Sequence, residues 1–252
     1  SENNLIILEG KVGDIIVKKN QIEGIILENG KCFYSHSLIL TTGTFLGGKI
    51  FIGKEKYSAG RINDTSSIKL SKKIRSLELP VGRLKTGTPP RILSKSINWK
   101  SLQMQEADKI PVPFSYMTDK ITIEQIKCGI TKTNETTHEI IRDNIDLSPV
   151  YSGSIQGSGP RYCPSIEDKI KRFYEKKSHQ IFLEPEGINS EVIYPNGIST
   201  SLPKKVQQSF VETIPGLEHS KIIQYGYAVE YDYIDPRCLK HTLETKSISN
   251  LF

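Results

Sequence analysis

Short runs of β-branched residues, each closed by a turn signal, govern what this chain can fold into. Leu5-Ile6-Ile7-Leu8, Asp14-Ile15-Ile16-Val17 and Gly24-Ile25-Ile26-Leu27 have strand length and strand composition. Glu9-Gly10, Lys18-Lys19-Asn20 and Glu28-Asn29-Gly30 punctuate them, and Asn29-Gly30 is a strong hairpin signal. The run from His36 to Thr42 is apolar enough for a strand buried on both faces, and it stops at Gly43-Thr44. A meander followed by a buried strand that ends in a glycine turn predicts the edge of an α/β nucleotide-binding domain.

Further along, Phe45 to Gly60 reads as a glycine-rich loop. Ser66 to Leu77 reads as a helix, and Gly82 to Arg91 as a basic loop with two prolines. From Ile92 to Glu139 the periodicity weakens into an irregular inserted segment. A helix is expected from Pro164, a strand pair at Gln180–Leu183 and Glu191–Tyr194, and a helix opened by proline at Pro203–Thr213. A strand at Lys221–Tyr225 is expected to return to the first sheet.

The 252 residues carry 34 Lys and Arg against 28 Asp and Glu, a net charge of +6. That small excess is compatible with a polyanionic partner without demanding one. No run approaches the roughly 18 apolar residues needed to span a bilayer, so no membrane partner is expected. The 4 cysteines show no CxxC spacing, which points to a reducing compartment rather than a disulfide scaffold. A start at Ser1 just before a strand-like run, with no initiator Met or targeting segment, reads as a piece of a longer chain.

The sharpest local motif is Gly157-Ser158-Gly159-Pro160-Arg161-Tyr162-Cys163-Pro164-Ser165-Ile166-Glu167-Asp168-Lys169. With Pro164 at the first helical position, Cys163 becomes the N-cap, and Glu167 and Asp168 fall in the first turn. The dipole and the nearby Arg161 would lower the thiol pKa, making Cys163 a candidate nucleophile or acid–base group. The bland alternative is a small buried apolar residue. Ile166, Ile170, Phe173 and Tyr174 make an apolar stripe on this helix, and Lys169, Lys171, Arg172, Lys176 and Lys177 a basic face that suits RNA phosphates or plain solvent.

Thr42-Gly43-Thr44 at a strand end would let backbone approach a ligand, with hydroxyls to bond it. No G-x-G-x-x-G precedes it, so no complete dinucleotide site can be assembled. Lys85-Thr86-Gly87 could hold an anion but lacks Walker A spacing. The 5 histidines are dispersed and none pairs with Cys or carboxylate at metal spacing, so no metal is expected.

Six blocks together resemble the GidA (MnmG) family, flavoprotein subunits of the tRNA wobble-uridine modification system. They are Leu40–Leu46, Val81–Arg91, Gly159–Lys169, Gln180–Gly187, Tyr194–Pro203 and Gly226–Asp232. The resemblance implies an α/β fold: part of a Rossmann-like FAD-binding domain with an inserted α/β domain that handles NADH. On that basis residues 1–91 belong to the flavin domain, 92–220 to the insert, and 221–252 return to the flavin domain. It implies FAD contacts at Val12 and Ser67, beside Thr42, Gly43, Thr44, Lys85, Thr86 and Gly87. It implies an NADH-associated segment comprising Gly159, Pro160, Arg161, Tyr162, Pro164, Ser165, Ile166, Glu167, Asp168, Lys169, Ile170, Lys171, Arg172 and Phe173, with Cys163 as the functional cysteine. It further implies methylenetetrahydrofolate as one-carbon donor, tRNA as substrate, an MnmE-like GTPase partner, a homodimer, and a cytoplasmic location (mitochondrial for a eukaryotic homologue). The rival readings are a folate-dependent tRNA uridine methyltransferase, a non-catalytic RNA- or partner-binding fragment, and an unrelated α/β domain.

Overall fold

The computed structural model describes residues 2–159 and 164–252. In chain order the elements are β1 (Val12–Lys18), β2 (Gln21–Leu27), β3 (Cys32–Tyr34), β4 (Lys49–Ile52), β5 (Glu55–Ser58), α1 (Ile68–Ser76), β6 (Val81–Thr88), β7 (Arg91–Leu93), β8 (Gln103–Gln105), β9 (Cys128–Lys132), α2 (Glu135–Asp143), α3 (Ile166–Arg172), β10 (Gln180–Pro185), β11 (Val192–Asn196), α4 (Lys204–Val211), β12 (Ile222–Gln224) and β13 (Tyr227–Ile234). The fold is mixed α/β. It divides into two compact units, one formed by residues 1–50, 57–85 and 229–252 and the other by 51–56 and 86–228.

The first unit carries the meander. β1, β2 and β3 form an antiparallel sheet in that order. The turn between β1 and β2 is Lys19-Asn20, with φ of 49° and 59°, the left-handed pair a tight hairpin needs. At the next turn Gly30 supplies φ 88°, and the Asn29 side chain accepts from the Lys31 amide. Alternation puts Ile15 and Ile22 inward, and α1 lays Leu70 and Ile74 against them, joined by Leu46, Leu79, Ile248 and Leu251.

Two strand expectations fail here. Leu5–Leu8 is irregular and exposed, because β-branched residues favour a strand only where cross-strand neighbours pack against them. His36–Thr42 is not buried on both faces: Ile39 is 70% exposed while Leu38 and Leu40 are half-buried. Leu38 to Leu40 pair, running parallel to residues 250–252 through Leu38 N–H to Asn250 O (2.9 Å), Phe252 N–H to Leu38 O (2.8 Å) and Leu40 N–H to Phe252 O (2.8 Å).

The Phe45–Gly60 loop also proves to hold strands β4 and β5, and the basic Gly82–Arg91 loop to hold β6 and β7. β4, β5, β6 and β13 form a sheet in the order β5-β4-β13-β6.

The second unit is built on a six-stranded sheet, β12-β7-β11-β10-β9-β8, with antiparallel neighbours throughout. β12 therefore pairs with β7 here, Ile222 opposite Ile92, and does not return to the first sheet as expected. Ile92, Ile181, Leu183 and Ile193 from the strands meet Ile141 of α2, Ile166 and Ile170 of α3, and Phe210 and Val211 of α4 in one core. The segment read as irregular contributes α2, which opens with a capping box between Asn134 and Thr137. No helix among the described residues is long and apolar enough to cross a membrane.

Candidate functional site

Cys163, with Pro160, Arg161 and Tyr162, lies outside the described residues. The helix after it starts later than the proline signal implies. α3 begins at Ile166 and its N-cap is Ser165, not Cys163. Ser165 suits the cap because its hydroxyl accepts from the Asp168 amide at 3.2 Å, while Asp168 Oδ2 accepts from the Ser165 amide at 3.1 Å. The dipole argument for the thiol therefore loses its basis, since Cys163 precedes the cap by two residues. The helix also ends at Arg172, so Phe173 and Tyr174 are exposed and not part of a stripe.

The first turn of α3 is where two of the motif blocks meet. Glu167 is fully buried, and its Oε1 accepts from Thr200 Oγ1 (3.0 Å) and the Ser201 amide (3.2 Å). Oε2 has no partner among the described residues. Burial pushes this carboxyl above the usual range and outweighs the donors that would favour its anion. Beside it the Ile166 amide donates to Ser199 O, and Lys169 Nζ to Gly197 O at 2.9 Å. The Gly159–Lys169 and Tyr194–Pro203 blocks are thus locked together. Arg91 ties in two more: it bonds Glu186 and Thr88 and stacks on Tyr194 at 4.5 Å. Tyr151 donates to Asp168 Oδ1 at 2.8 Å, and burial followed by that bond raises the phenol pKa. Lys171 sits over the Tyr151 ring.

Burial sorts the expected NADH-associated residues. Ile166, Glu167 and Ile170 are core. Ser165 is buried, and Asp168 and Lys169 are half-buried and engaged. Gly159, Pro164, Lys171, Arg172 and Phe173 are exposed. In the first unit Val12 is half-buried in β1, and Thr42, Gly43 and Thr44 are exposed. Gly43 has φ 68° and open space where a side chain would be. Ser67 is the N-cap of α1 without a capping bond, and Lys85 is buried. Thr86 and Gly87 are half-buried.

A second polar centre escaped the sequence reading. In the first unit Asp232 accepts from Ser71 (2.5 Å), Arg75 (2.5 Å) and Arg83 (2.6 Å), and Arg83 also reaches Glu230 (3.0 Å) and Gly47 O (3.0 Å). Burial would raise the Asp232 carboxyl, but these donors hold it below the usual range. Gly47, at φ 58°, must be glycine: a Cβ would lie 2.6 Å from Ser71 Oγ and 2.7 Å from Asp232 Oδ2. The available signal was Glu230 and Asp232, two apart on one strand and so on one face.

The fold and the site together define a two-unit α/β protein in which two distant motif blocks of the antiparallel unit meet at one buried carboxyl and two more are tied to them through Arg91. A sequence model of the family described as Glucose inhibited division protein A matches residues 1–252. The chain belongs to that family. The tRNA uridine 5-carboxymethylaminomethyl modification enzyme MnmG of Buchnera aphidicola subsp. Cinara cedri is 56% identical over 254 residues, covering 100% of this chain and 40% of the relative. The form I crystal structure of Aquifex aeolicus GidA superposes with a TM-score of 0.91 at 45% identity, covering 100% of this chain and 43% of that one. The form II crystal gives 0.86 at 43% identity, with 96% and 39% covered. The chain thus spans about two fifths of the length of these relatives.

Proposed function

We propose that this chain is the central part of an FAD-dependent tRNA-modifying enzyme that builds the (carboxymethyl)aminomethyl group on C5 of wobble uridine. The observation that carries the reading is the joining of the Gly159–Lys169 and Tyr194–Pro203 blocks at the first turn of α3, with Arg91 tying the Val81–Arg91 and Gln180–Gly187 blocks to Tyr194, in a chain 56% identical throughout to an enzyme of that name. The exposed Thr42-Gly43-Thr44 turn, open above Gly43, fits close approach of a flat cofactor, and Val12 and Ser67 would complete the FAD contacts from this chain. The exposed cations Lys171 and Arg172 would meet NADH, with Ile166, Glu167 and Ile170 supporting them from within the core. FAD held there, with NADH as its reductant, would supply the hydride needed to reduce a one-carbon unit from methylenetetrahydrofolate.

Uracil C5 is a poor nucleophile until a group adds at C6. Cys163 is proposed to act there, as nucleophile or as acid–base group, on a uridine turned out of the anticodon stack. Glycine or ammonia completes the substituent. An MnmE-like GTPase partner, a homodimer and a cytoplasmic location complete the proposal. Cys163→Ser in the full-length protein should abolish modified uridine in tRNA while leaving FAD absorbance intact. Normal modified-nucleoside levels in that variant would sink the assignment.

A further inference from the structure

α1 and the β1–β2 hairpin enclose a cleft of about 580 Å³, whose charged lining is Asp14, Glu28, Lys69, Lys72 and Lys73. α1 itself contains no acid, and its charged residues are Lys69, Lys72, Lys73 and Arg75. The two carboxylates of the hairpin are already matched. Lys73 Nζ lies 3.1 Å from Asp14, and Lys11 Nζ lies 3.4 Å from Glu28. Arg75 is engaged by Asp232. Lys69 and Lys72 are exposed, about one turn apart, and have no acidic partner among the described residues.

The chemistry of the walls selects the ligand. A lysine ammonium is a point charge that accepts a phosphodiester in many orientations. Ile26 and Leu27 are the apolar lining, and no aromatic side chain is present to stack a base. Such a cleft suits a sugar–phosphate backbone and offers little to a nucleotide cofactor, which needs its base enclosed or stacked.

We propose that this cleft is a docking surface for the tRNA backbone, in which Lys69 and Lys72 hold phosphates. It rests on the reading of the chain as part of a tRNA-modifying enzyme.

The test is fluorescence anisotropy of labelled tRNA with the full-length protein over a range of salt concentrations. It compares wild type, Lys69→Glu/Lys72→Glu, the milder Lys69→Gln/Lys72→Gln, and a control reversal of two exposed lysines elsewhere, Lys100→Glu/Lys205→Glu. Circular dichroism checks that each variant folds. The first pair should raise Kd about tenfold and make the dependence of log K on log salt shallower by about 1 to 2, as expected for loss of two phosphate contacts. The glutamine pair should raise Kd about threefold, and the control should match wild type.

Equal losses in the control and the cleft variants would overturn the proposal in favour of non-specific charge. Tight wild-type binding that ignores the cleft variants would overturn the cleft alone. A wild-type protein without affinity for tRNA would overturn the tRNA reading and the cleft with it. Loss of binding to phosphatidylserine vesicles with tRNA affinity retained would reassign the surface to a membrane.

Discussion

Asp232 in the first unit and Glu167 in the second are both buried carboxyls, yet their surroundings move their pKa values in opposite directions. Asp232 faces two guanidinium groups and a hydroxyl, and its pKa is held down despite burial. Burial raises the Glu167 pKa, against donors that are hydroxyls and backbone amides. Burial alone does not decide ionisation; the charge of the donors does. One site is a charged cross-link between α1, β6 and β13. The other is a clamp of hydroxyl and amide hydrogen bonds between α3 and the turn after β11.

The strongest way to break this contrast is Asp232→Asn. It leaves Arg75 and Arg83 without their carboxylate and should cost about 3 kcal/mol, read as a lowered urea midpoint. Gly47→Ala attacks the same centre sterically and at a left-handed backbone angle; about 2 kcal/mol is expected by the same measurement. Glu167→Gln keeps the acceptor and the shape and should cost about 1 kcal/mol or less. A Glu167→Gln loss as large as that of Asp232→Asn would mean that Glu167 is ionised and the contrast is false.

The pH dependence separates the two by sign. Asp232 has a depressed folded pKa, so its contribution is present above the unfolded value near 4 and is lost as the pH falls through the folded one. Glu167 has a raised folded pKa, so its contribution is full below the unfolded value and is lost as the pH rises from there through the folded one. Stability of the Glu167→Gln variant should therefore decline less than wild type as the pH rises from about 4.5. The pair of buried His138 and half-buried His179 adds a third limb. Burial lowers both, His179 to about 4, so stability is lost as the pH falls from about 6.5 toward 4. His179→Gln should flatten that limb in thermal melts between pH 7 and 4.

The sequence reading succeeded where local chemistry and tertiary environment agree. The β1–β2 hairpin, the Asn29-Gly30 turn, α1, β10, β11 and α4 all follow from turn residues and periodicity. It failed where a partner decides. Leu5–Leu8 has full strand composition and no ladder, whereas Gly82–Arg91, read as loop from its Gly and Pro, carries two strands because neighbouring strands receive them. α2 was missed because Glu135-Thr136-Thr137-His138 has weak helix propensity, rescued by the Asn134 cap and by Ile141 in the core. Of the site, Glu167 was visible only as an acid in a first helical turn. Its burial depends on Thr200 and Ser201, brought in from a distant block.

The parallel pairing of Leu38–Leu40 with Asn250–Phe252 has a bearing on synthesis. It joins stretches about 210 residues apart in sequence, with nearly all of the second unit between them in chain order. A ribosome delivers residues 86–228, nearly all of the second unit, before the later residues that complete the first unit's core, Ile248 and Leu251 among them. The antiparallel unit can therefore mature while the core beneath the meander still lacks its last members, and the long loop closure makes that wait a slow and aggregation-prone interval.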